Sequence, residues 1–194
     1  MKNLFAILSV ALFSVFANTA IAAEAPNLVL KRGGVDWITL TKEGAAVMVS
    51  SKASSITLTR AGAGFAITAK SGPHRVKYED GKHKVYGPNG ALILKIKITQ
   101  DKIKILRSED DPEPWSIKSK SGSADLKVKR SETELGKIAF HPEKSLIKVK
   151  DMTGSEVCSM TSTAIMVSPA VCLMNGLPEE SALMAFALLN AIAE

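Results

Sequence analysis

Aromatic residues are scarce, at 5% of the chain. That argues against a protein that binds nucleic acid by stacking bases on its side chains. Cysteine is limited to Cys158 and Cys172. No C-x-x-C pair exists, so a redox dithiol of that type is excluded. No G-x-S-x-G is present, which removes the nucleophile elbow of a serine hydrolase. Histidine is limited to His74, His83 and His141, without close ligand spacing. They are expected as solvated residues at turns or strand ends rather than metal ligands. The acid-rich segment Ser108 to Pro114 lacks the glycine-centred spacing of a calcium loop and reads as a surface loop. No cofactor is indicated. Acids are outnumbered by bases, for a formal net charge of +6, which favours anionic partners through a long-range field.

The N-terminus has the three parts of a secretory signal peptide. Lys2 supplies the positive start, and Leu4 to Ala17 is apolar apart from Ser9 and Ser14. Ala20-Ile21-Ala22 is a small-x-small cleavage signature, and Ala23 offers a second site. The alternative is an N-terminal membrane anchor, but the apolar stretch is shorter than the roughly 18 to 20 residues a span needs. Residues 1–23 are therefore expected to be removed, with the mature protein periplasmic or secreted and without a transmembrane segment. Residues 24–194 are expected to form a single β-rich domain with a C-terminal helix over 178–193. Export places the two cysteines in an oxidising compartment. Both are expected on adjacent strands, where they either form a disulfide or stay as two apolar free thiols.

From Asn27 to about Met174 the chain reads as strands, because apolar and polar residues alternate. Val35, Trp37, Thr39 and Thr41 alternate with Asp36, Ile38 and Leu40. Turn signals such as Asp80-Gly81 and Asn89-Gly90 separate the runs. The pattern sharpens in the second half. Leu94, Ile96 and Ile98 alternate with Lys95 and Lys97, and Ile103 and Ile105 with Lys102 and Lys104. Leu126 and Val128 alternate with Lys127 and Lys129, and Ile147 and Val149 with Lys148 and Lys150. Period two sends successive side chains to opposite faces, so each strand has one apolar face and one lysine face. Antiparallel strands with one wet face give this signature.

The C-terminus changes character. Pro178 suits a first helical turn, and Glu179 and Glu180 complement the helix dipole. From Ala182 to Ala193 every residue but Asn190 is apolar. A helix without a polar face must be covered on every side. Strands with one apolar face and a helix with no polar face predict an antiparallel β-barrel, or strongly curved sheet, enclosing a hydrophobic C-terminal helix. Closure also removes sheet edges. The competing arrangement is a β-sandwich with the helix docked at one end or used in a dimer.

Three hairpin stretches carry a family resemblance: Lys84 to Leu92, Leu135 to Ile138 and Ile147 to Val157. The ending Gly176 to Ala185 adds to it. Together they make residues 80–194 similar in pattern to the tubby C-terminal and LURP-one-related superfamily, which includes the phospholipid scramblases. The resemblance implies a twelve-stranded barrel around a hydrophobic C-terminal helix, with phospholipid association in some members. The acylated cysteine cluster and spanning end of scramblases have no counterpart here, so scrambling is not implied.

The lysine faces are the feature with functional reach. Lys95, Lys97, Lys127, Lys129, Lys148 and Lys150 are the candidate residues of a basic surface for an anionic phospholipid or envelope polymer. The competing reading of the same residues is a solvated face that keeps a sheet soluble. Two classes remain: a non-enzymatic exported binding or scaffold protein, and an enzyme whose site assembles from dispersed residues. No residue is assigned a catalytic role.

Overall fold

Alternation becomes strand pairing throughout the computed structural model, which describes residues 27–62, 64–119 and 125–192. The signal peptide and its cleavage sites lie outside the described residues, as does Ala193. The first strands are β1 (Leu28–Arg32), β2 (Val35–Glu43), β3 (Ala46–Ser50), β4 (Ser55–Ala61), β5 (Gly64–Ala69), β6 (Gly72–Glu79) and β7 (Lys82–Tyr86). They are followed by β8 (Leu92–Thr99), β9 (Lys102–Leu106), β10 (Trp115–Ser119), β11 (Leu126–Arg130), β12 (Thr133–His141), β13 (Leu146–Asp151) and β14 (Glu156–Thr161). Each strand pairs antiparallel with its neighbours in sequence, and β1 meets β14 through Leu30 opposite Met160, which closes the barrel.

Local chemistry sets the turns. Asp80 and Gly81 both take positive φ, at 51° and 71°, joining β6 to β7 in the twist a two-residue hairpin requires. Asn89 works differently. Its side-chain oxygen accepts from the Ala91 N–H at 3.1 Å, and only Gly90 takes positive φ. Gly136 is required where β12 approaches β13: its φ is 154°, and a Cβ there would lie 2.0 Å from the Lys150 carbonyl oxygen.

The barrel holds an apolar helix, α1 (Glu179–Ile192), whose residues from Ser181 to Asn190 are all buried. Phe186 and Leu189 sit in one continuous core with inward strand residues such as Ile38, Val85, Ile105 and Val149. The polar side chain of Asn190 is satisfied. Asn190 donates from Nδ2 to the Phe186 carbonyl at 2.8 Å and accepts from Ser168 Oγ at 3.1 Å. Acids at the N-terminal end of α1 reach the barrel rim, where Ser51 donates to Glu179 and Ser71 to Glu180. No helix among the described residues is long and apolar enough to cross a membrane.

Of the two alternating faces of β2, the inward one is Ile38 and Leu40, while Val35 is exposed. The structure corrects other expectations. The strands stop at Thr161, not near Met174. The segment Ser168–Leu173 is a 3-10 helix with every residue buried, so it has no wet face to alternate with. It packs against α1 and against β12 to β14. Cys172 therefore lies on this helix rather than on a strand. It is bonded to Cys158 of β14, with Cα atoms 6.4 Å apart. In chain-entropy terms, closing a loop of this length stabilises by about 3 kcal/mol.

Candidate functional site

Register decides which lysines become neighbours. On the outer wall, residues directly opposite on adjacent strands have Cβ atoms about 5 Å apart. One row begins with Lys82 on β7 opposite Lys97 on β8, and Lys97 opposite Lys104 on β9. It continues through Ser116 on β10 to Lys129 on β11 and ends at Glu134 on β12. A second row lies two residues further along the strands. There Lys102 of β9 opposes Lys118 of β10, which opposes Lys127 of β11. Lys127 opposes Lys137 of β12, and Lys137 opposes Lys150 of β13, before Glu156 ends the row on β14. Five successive strands thus each place a lysine in one line.

Acids partner this wall unevenly. Lys127 bonds Glu134 at 2.8 Å, Lys137 bonds Asp125 at 2.7 Å, and Lys148 bonds Glu156 at 2.7 Å. Lys97, Lys104, Lys118 and Lys129 make no salt bridge among the described residues. At Lys102, burial first and then the charges of Lys104 and Lys118 hold the ammonium below its usual pKa. These five form a cluster on β8 to β11 whose positive charge is left largely uncompensated.

The sequence candidates divide accordingly. Lys97 and Lys129 belong to the first row, and Lys127 and Lys150 to the second. Lys148 stands beside the rows, opposite Ala139 and Ser159. Lys95 departs from the expected solvated face, being only 8% exposed. The segment after β9 folds over it, and its ammonium donates to the Glu109 carboxylate and carbonyl, both at 2.7 Å. Lys84 shares Glu109 at 2.8 Å, and the two ammoniums hold that carboxyl at a pKa of about 2. Lys82, Lys102, Lys104, Lys118 and Lys137 are not among the sequence candidates, although each stands in a strand with period two. Their importance comes from register across strands, which alternation within a single strand does not carry.

The acidic segment is used internally. Asp111, only 7% exposed, accepts from Arg107 at 3.1 Å, and this hydrogen bond is the main cause of its low pKa of about 2. Glu113 pairs with Arg130 at 2.9 Å. Arg107 and Arg130 lie 5.3 and 5.2 Å from the ring of buried Trp115. Among the described residues no group of three or more His, Cys, Asp and Glu side chains could hold a metal ion.

Two histidines also depart from the expected exposure. His74 and His83 are 5% and 8% exposed. His83 packs between Phe65 and Tyr78, and burial lowers its pKa. His74 Nδ1 lies 2.9 Å from the Gly72 carbonyl, and its Nε2 lies 3.4 Å from Ser71 Oγ and 3.6 Å from Glu180. Ser71, His74 and Glu180 are hydrolase residue types, but the order of contacts is wrong for a triad. The serine hydroxyl is given to the carboxylate, so the imidazole does not receive its proton. The group fastens the start of α1 to the β5–β6 turn.

No protein-family model, curated protein or solved structure matches the chain.

Proposed function

We propose that this chain is an exported, non-enzymatic binding protein whose lysine wall engages an anionic phospholipid or envelope polymer. The observation that carries the reading is the cross-strand lysine line from Lys102 to Lys150. Like charges placed directly opposite one another cost stability, and alternating acids would have removed that cost. Lys127 and Lys137 have acid partners, and a bound polyanion would supply counter-charge to Lys102 and Lys118, which have no salt bridge among the described residues. The resemblance to tubby C-terminal and LURP-one-related proteins supports the same reading, although that family has twelve strands and this barrel fourteen. The barrel interior is filled by its own helix and apolar side chains, which favours binding on the outside of the barrel. The enzyme alternative has Ser71, His74 and Glu180 as its best group, and their contacts anchor a helix instead.

Sedimentation with phosphatidylglycerol vesicles, and binding to an immobilised polyuronate, test the proposal over a salt series. Binding to at least one of them that weakens steadily as salt rises is expected, because salt screens exposed charges over about 10 Å at 0.1 M. Absence of binding to both at low salt would refute it.

A further inference from the structure

The geometry points to a linear polyanion lying across the strands, with one anionic group per strand, as the partner of the lysine rows. This rests on the basic-wall reading above and narrows it to an acidic polysaccharide. Three observations carry it. The first is spacing. Neighbouring strands are about 4.8 Å apart, so the second row presents ammoniums at a regular repeat along one line. A chain of uronic acids carries one carboxylate per sugar at a comparable repeat. The second is curvature. The rows run from Lys82 on β7 to Lys150 on β13, across seven of the barrel's fourteen strands. A lipid bilayer is a plane and meets a closed barrel along only a few strands, whereas a polymer chain follows the wall around. The third is the layout of acids. Both rows end in glutamates, Glu134 and Glu156, on one side. Lys97, Lys104, Lys118 and Lys129, on β8 to β11, have no salt bridge among the described residues. The charge without a salt bridge is thus concentrated on β8 to β11, while Lys127 and Lys137 further along the second row already have acid partners.

The probe is a set of oligogalacturonates of increasing length, titrated into the intact mature protein by calorimetry at low salt. Affinity is expected to rise with each added sugar until the chain spans the five strands of the second row, and then to level off. The double variant Lys102→Glu/Lys118→Glu should weaken the longest oligomer by at least about tenfold, since it replaces two neighbouring positive charges of the row with negative ones. Lys52→Glu/Lys70→Glu, at the opposite rim, should leave affinity within about twofold of wild type. Unfolding midpoints of both variants establish that they are folded. Affinity that does not depend on chain length, or that survives the row variant, would overturn the inference. If phosphatidylglycerol vesicles bind and the oligomers do not, the polymer assignment fails while the basic-wall reading stands. If neither binds, both fail.

Discussion

Lys102 of β9 and Lys118 of β10 stand directly opposite each other on the outer wall, with no salt bridge to either among the described residues. The pair is electrostatically unfavourable in the free protein. Its presence is understandable where binding a counter-charge matters more than the last fraction of stability.

Lys118→Gln should therefore make the free protein slightly more stable. The expected gain is about 0.2 to 1 kcal/mol, the usual size of a cross-strand pair effect. Urea unfolding at low salt measures it, and the gain should shrink in 0.5 M salt. A loss of stability at both salt concentrations would show that Lys118 is held by favourable contacts instead.

The core makes the opposite demand. Phe186 is fully enclosed in α1, and Phe186→Ala should cost about 3 to 5 kcal/mol. Lys148→Ala removes one partly exposed ion pair with Glu156 and should cost about 1 kcal/mol or less. Chemical unfolding of the two variants compares them. Equal costs would contradict a helix enclosed by the barrel.

Acid should expose the Arg107–Asp111 contact. The Asp111 carboxyl, at about 2, titrates well below its ordinary value near 4. Its folded pKa is depressed, so its contribution is complete above the ordinary value and is lost as pH falls toward 2. The melting temperature should drop through that window, and Asp111→Asn should make the drop shallower. A variant with the same acid profile as wild type would show that other carboxylates govern acid unfolding.

The barrel and its helix were legible because both rest on periodicity. Ile103 and Ile105 declare an inward face between Lys102 and Lys104, and the run from Ala182 to Leu189 declares a helix with no outside. What the sequence pattern could not carry was pairing between distant segments. Lys95 and Glu109 are 14 positions apart, and only the fold of the loop after β9 brings them together. The β11–β12 irregularity at Val128/Lys129 shifts the first row onto Glu134, which single-strand alternation does not reveal. Cys172 was misplaced for a related reason: Ser168 to Leu173 is buried on every side, and a short apolar run has no period by which to tell strand from helix. His74 and His83 were expected at the surface because their shelter comes from Glu180, Phe65 and Tyr78 on other elements.

The most direct measurement maps the contact on the protein itself. Reductive methylation with carbon-13 labels every lysine while keeping its charge, so each side chain reports separately by nuclear magnetic resonance. On adding a polyuronate at low salt, the largest shifts should fall on Lys97, Lys102, Lys104, Lys118 and Lys129. Lys31, Lys52 and Lys70 should stay nearly unchanged. Shifts centred on Lys52 and Lys70, which line a shallow depression of about 510 Å³ at the barrel rim, would contradict it and move the binding site there.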